Sequence, residues 1–152
     1  MTTPRRGLSV RHRARNRLVV FAHRVGLPFG PMHLLTVPGR RSGVPRTTPV
    51  APVLIDGTRY LVQAYPGSDW ARNARAAGHG LLTRGRHRER VDLVELPVDE
   101  RAAVLRRFPR QNPRGTGAFL RNGLVASASP EHFAAAAPSC PVFRVVPRPG
   151  GG

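Results

Sequence analysis

Apolar residues recur in this chain with two different periods, and the changes of period mark out its elements. From Ser9 to Val25 the apolar positions Val10, Ala14, Leu18, Phe21 and Val25 follow spacings of four, four, three and four, which draws one stripe along a helix. Arg11, Arg13, Arg15, Arg17 and Arg24 fall on its other faces, and Gly26 with Pro28 ends it. His33 to Val37 reads as a short strand, Pro38 to Pro45 as a turn-rich loop, and Thr47 to Ile55 as an extended run. Pro49 and Pro52 demand that this run sit at a sheet edge or carry a bulge. Asp56-Gly57 is a hairpin turn signal, and Arg59 to Ala64 returns.

Ser68 is placed as an N-cap, with Asp69 in the first turn of a helix to Ala77 that Gly78 stops. Leu81–Thr83 and Glu89–Leu96 form a second hairpin around Gly85. Pro97 to Arg107 starts another helix with Asp99 and Glu100 at its positive end. Pro109 to Gly123 reads as irregular, Pro130 to Ala137 as a short helix, and Pro141 to Val146 as a last strand. About six strands and four helices in this order predict an α+β domain with a small antiparallel barrel. The expected organisation is a disordered start over 1–8, one domain over 9–147, and a disordered tail over 148–152.

The 152 residues are 40% apolar and 6% aromatic, so Val, Leu and Ala must supply most of the core. Charge changes the picture more. There are 25 basic residues against 8 acidic, and every basic one is Arg. No carboxylate precedes Asp56, while ten Arg lie between Arg5 and Arg46. Such a surface attracts anions: nucleic acid, anionic lipid or an acidic small ligand. Cys140 is the only cysteine, which excludes an internal disulfide and fits a reducing cytoplasm. No apolar run approaches the length of a membrane-spanning helix. The six histidines show no metal-ligand spacing, so no metal is expected.

Two segments carry candidate chemistry. Gly39-Arg40-Arg41-Ser42-Gly43-Val44-Pro45-Arg46-Thr47-Thr48-Pro49 is a tight loop with three guanidinium groups and three hydroxyls. Guanidinium forks match phosphate and carboxylate oxygens, and Gly43 would let an anion approach backbone N–H groups. The loop lacks the P-loop pattern, and a solvated basic loop remains an alternative. The second segment, Gln63 to Asn73, turns from a strand end at small residues directly into a helix bearing Trp70. A flat ring could lie along that strand end, facing N–H groups near Tyr65 to Gly67; Trp70 as plain core is the alternative.

Leu34-Leu35-Thr36, the Gly39–Gly43 loop with Pro45, Arg46 and Pro49, then Asp56-Gly57, Trp70 and Asn73 stand in an order that resembles the deazaflavin (F420)-dependent nitroreductase and quinone reductase family. The resemblance runs from about Leu34 to Glu95. It implies a split β-barrel, similar to the FMN-binding split barrels, and coenzyme F420, a deazaflavin with a phosphate and an oligoglutamate tail. By position it assigns the phosphate and tail to Arg40, Arg41, Ser42, Arg46 and Thr47, in a site that also takes in Leu35, Thr36 and Gly43. The ring would lie against Thr48, Pro49, Ala64, Tyr65, Gly67 and Trp70, with Asn73 buttressing the helix. The implied activity is hydride transfer from reduced F420 to an electron-poor small acceptor such as a quinone. Tyr65 is the one catalytic candidate, as a proton or hydrogen-bond donor. No tyrosine follows Leu96, which speaks against a nitroimidazole acceptor.

The residues agree with that implication independently. An exposed guanidinium–carboxylate pair is worth about 0–1 kcal/mol, whereas micromolar affinity needs roughly 8 kcal/mol. Several basic contacts plus a buried ring are needed, and both kinds are present. Other readings stay open. One is an FMN-binding split barrel or a coenzyme carrier without turnover. Another is a basic nucleic-acid binder, disfavoured because aromatics do not interleave with the Arg runs; no nucleic-acid partner is expected. The helix over 9–25 either lids the barrel or lies on an anionic membrane, which would add peripheral attachment at the inner face of the cell membrane to a cytoplasmic location. Split barrels often pair, so a homodimer is a further expectation.

Overall fold

The computed structural model describes residues 32–149 apart from Pro66. The expected helix over 9–26, the start over 1–8 and residues 150–152 lie outside the described residues. The strands are β1 (His33–Pro38), β2 (Pro45–Val50), β3 (Val53–Ile55), β4 (Thr58–Val62), β5 (His79–Arg84), β6 (His87–Glu95) and β7 (Val142–Pro147). They form one sheet in the order β2-β1-β5-β6-β7-β4-β3, every neighbouring pair antiparallel. The helices are α1 (Asp69–Ala77), α2 (Val98–Gln111), α3 (Thr116–Arg121) and α4 (Pro130–Ala135), with 3-10 turns at Pro113–Gly115 and Ala137–Ser139.

The sequence reading expects six strands; the described residues hold seven. The run from Thr47 to Ile55 breaks at Ala51-Pro52 into β2 and β3, which occupy opposite edges of the sheet. Proline lacks the N–H that a central strand must donate, so both proline-bearing stretches sit at or beside an edge.

Side chains alternate between two faces along each strand, and the curled sheet therefore has two cores. Leu35, Val37, Leu61, Leu82, Val91, Leu93 and Phe143 fill one face together with Ala71 and Ala74 of α1. On the other face Val53, Ile55 and Val142 meet Leu105, Phe108, Phe119 and Phe133 from α2, α3 and α4. The scarce aromatics are concentrated here: Phe108 lies 5.0 Å from Phe119 and 5.6 Å from Phe133, centroid to centroid. Full burial of one such side chain stabilises by roughly 1.5–3 kcal/mol. Gly80 is required by close packing: a Cβ there would stand 2.9 Å from Val37 Cγ1 and 3.0 Å from the Thr36 carbonyl oxygen.

Residues 109–123 are helical where an irregular stretch is expected. α2 runs through Pro109 to Gln111, and α3 follows after one 3-10 turn. Phe108, just before this segment, and Phe119, within it, are buried, and their packing outweighs one lost backbone hydrogen bond. Arg148, placed in the tail from sequence, donates from Nε to Asp92 at 2.7 Å and from its backbone to the Arg90 carbonyl at 3.1 Å.

Candidate active site

β1 ends in a turn that satisfies its own backbone. Gly39 N–H donates to the Val44 carbonyl at 2.9 Å and Gly43 N–H to the Gly39 carbonyl at 2.8 Å. Ser42 Oγ accepts from Val44 N–H at 3.2 Å. Gly43 has φ 73°, which favours glycine. Its own N–H is engaged inside the turn.

Those side chains divide. Arg40 folds onto α1. Its backbone N–H and its Nη1 both donate to Asn73 Oδ1, at 3.1 and 2.9 Å, and Nη2 reaches Asp69 Oδ1 at 3.3 Å. Asn73 is 4% exposed, so a buried amide oxygen holds the turn in place; Asn73 buttresses the turn as well as its own helix. Arg41 and Arg46 are exposed and form no ion pair with any described residue. Thr36 and Thr47 share a hydrogen bond between hydroxyls of 2.9 Å across β1 and β2. Thr48 and Pro49 are half-buried on β2, while Leu35 is fully buried, its side chain pointing into the core and away from any surface ligand.

The strand end after β4 is a clamped shelf. The Tyr65 carbonyl accepts from Gln63 Nε2, from Ser68 Oγ at 2.6 Å and from Ser68 N–H at 3.2 Å. Asn122 Nδ2, at the end of α3, donates to the Ala64 carbonyl at 2.6 Å. The Ser68 hydroxyl therefore does not cap α1 as its residue type suggests; it ties down Tyr65 instead. Gly67, at φ 76°, turns the chain into the helix. Trp70 is half-buried, its ring 5.8 Å from Phe143 at the margin of the core. The Arg40 contacts bring the basic turn and the Trp70 helix into one unit, as the candidate site requires. Gln63, Ser68, Asp69 and Asn122 hold this unit together and are absent from the candidate set. Asn122 carried no signal in sequence beyond an Asn-Gly helix stop.

The opposite end of β1 has a different chemistry. A cavity of about 400 Å³ is lined there by His33, Arg59, Leu82, Arg84, His87 and Glu89. Arg59 grips Glu89 through two hydrogen bonds of 2.8 Å each. That fork, aided by the field of His87 and His33, holds the Glu89 carboxyl below its ordinary value. Cys140 is fully buried and burial pushes its thiol up to about 11, so it is not a nucleophile at neutral pH. Among the described residues no group of three or more His, Cys, Asp or Glu could hold a metal ion. No described helix is long and apolar enough to cross a membrane.

A curled antiparallel sheet of seven strands with flanking helices is a split β-barrel. Solved structures share this fold. One titled a domain-swapped dimer has a TM-score of 0.55 at 20% identity, covering 90% of this chain and 96% of that one. A protein of unknown function from Agrobacterium tumefaciens has a TM-score of 0.55 at 17% identity, over 94% of this chain and 58% of its own. An F420-H2 dependent reductase has a TM-score of 0.51 at 21% identity, over 76% of this chain and 94% of its own. No match is found among curated proteins. The sequence matches the F420H(2)-dependent quinone reductase family over residues 10–118, and the chain belongs to that family. It is thus an oxidoreductase of the F420-dependent reductase kind.

Proposed function

We propose that this protein takes electrons from reduced F420 and passes them to a quinone or a comparably electron-poor small acceptor. The observation that carries the reading is the docking of the basic turn on α1 through Arg40, Asn73 and Asp69. It joins the turn that carries exposed Arg41 and Arg46 to the helix that follows the strand end, where the Ala64 and Tyr65 carbonyls are engaged by side chains. These residues fit an acidic, flat-headed coenzyme: unpaired guanidinium groups for the phosphate and oligoglutamate tail, and a clamped strand end next to Trp70 for the ring.

When bound, the reduced coenzyme supplies a hydride. The chain's own residues bind and orient. Arg41 and Arg46 would hold anionic groups, and Thr48 and Pro49 of β2 with Ala64, Gly67 and Trp70 would form the seat of the ring. Tyr65 would support an acceptor oxygen by a hydrogen bond, which would favour charge building up there. Positioning of this kind needs no acid–base triad.

The test is a titration of purified protein with oxidised and reduced F420, followed by quinone-dependent oxidation of the reduced form. Tight binding of F420 in preference to FMN, weakened by salt, and turnover with a quinone are expected. Binding of FMN alone, or of F420 without turnover, would replace this reading by a flavin protein or a coenzyme carrier.

A further inference from the structure

The resemblance names three arginines for the coenzyme's anions, yet Arg40 is engaged by Asn73 and Asp69 and its side chain is only 24% exposed. A different arginine stands where it is needed. Arg72 lies on α1 between Asp69 and Asn73. Helical side chains lean toward the N-terminus of their helix, and that of Arg72 does so: its Nη2 would be 3.9 Å from a Cβ built on Gly67. It therefore overhangs the turn that joins the shelf to α1. Arg72 is half-buried and forms no ion pair with a described residue. The carboxylate one turn before it, Asp69, is held by Arg40.

We infer that Arg72 is a further ligand-binding residue and that it takes the phosphate group of the coenzyme. This rests on the F420 reading above. The phosphate of a deazaflavin coenzyme is bonded between the ring system and the acidic tail. Arg72 sits on the ring side, over Gly67 and two residues from Trp70, whereas Arg41 and Arg46 sit on the turn where the tail would run. A guanidinium reaches over glycine because no side chain stands in the way, and partial burial strengthens its hold on the single negative charge of a phosphodiester.

The experiment compares three deazaflavins: the full coenzyme, a form with phosphate but no oligoglutamate, and the ring with its sugar alcohol only. Arg72→Gln is expected to weaken both phosphate-bearing forms about tenfold or more, by similar factors, and to leave the phosphate-free form within about twofold. KM for the phosphate-bearing forms rises with it, while kcat at saturation changes far less. Arg46→Ala is expected to weaken only the tailed form. Arg72→Lys, which keeps the charge, restores most of the affinity, and Arg72→Met serves in place of the glutamine variant if that one does not fold. Unchanged binding of the phosphate-bearing forms to Arg72→Gln, or an equal loss on the phosphate-free form, overturns the inference. Failure of the unaltered protein to bind any of the three overturns the coenzyme reading instead.

Discussion

The two ends of β1 treat arginine in opposite ways. At the His33 end, Arg59 is forked onto Glu89 at the rim of a polar cavity. At the Pro38 end, Arg41, Arg46 and Arg72 find no described carboxylate, and Asp69 is taken by Arg40. The chain has 8 acidic residues for 25 arginines, so a carboxylate marks the arginines that serve the fold. Arg75 and Arg101 converge on Glu95, Arg107 pairs with Asp56 and Arg148 with Asp92. By elimination, arginines left without such partners beside a shaped surface are the ones available to a ligand. The lesson is that in a very basic protein the informative residues are the few acidic ones.

The comparison can be broken first at the ligand end. Replacing Arg41 and Arg46 together by Ala should cost roughly 2–6 kcal/mol of coenzyme binding, about 1–3 for each charged contact. The denaturation midpoint should stay put. Calorimetric titration with F420 beside urea unfolding checks both, and a loss of stability without a loss of affinity would invert the assignment. At the other end, Arg59→Ala leaves a half-buried carboxylate without its fork. Unfolding should become easier by about 1–3 kcal/mol, with F420 affinity intact.

The same pairs set a response to acid. Hydrogen bonds from Arg59 and Arg75 hold Glu89 and Glu95 below their ordinary value of 4.5. Their contribution is complete above that value and is lost as pH falls through the lower folded value. Urea midpoints measured between about pH 5 and pH 3 should decline, and Glu89→Gln should flatten the slope. The smallest effect is expected at the hairpin turn. Asp56 meets Arg107 on the surface, where ion pairs contribute little. Asp56→Asn should not move the midpoint measurably; a clear drop would mean that surface pairs matter more here than the contrast implies.

How far the sequence disclosed this depended on whether the cause was local. Gly39, Gly43 and Gly67 favour turns locally, and Pro49 and Pro52 announce an edge or a bulge by lacking a donor, so the turn and the strand end were legible in kind, whereas the division of the run into two strands at opposite edges was not. Trp70 and Asn73 stood out through the family resemblance. The third layer was not legible, because Pro109 and the Gly and Asn around it advertise irregularity while the helices there depend on Phe108 and Phe119 meeting Phe133 from far along the chain. Ser68 has the residue type of a cap, but a neighbouring carbonyl competes for its hydroxyl. Arg40 and Arg72 could not be told apart as fold-serving and ligand-serving, since that depends on which of them reaches Asp69.

β2 carries Pro45 and Pro49, and Pro52 follows it. A bare outermost strand normally invites a stranger's backbone to zip onto it, and from there polymers grow. With hydrogen-bond donors missing at two of its six positions, this one makes a poor template for such growth. Among the described residues, the strand beside the candidate site thus discourages other chains from settling along it.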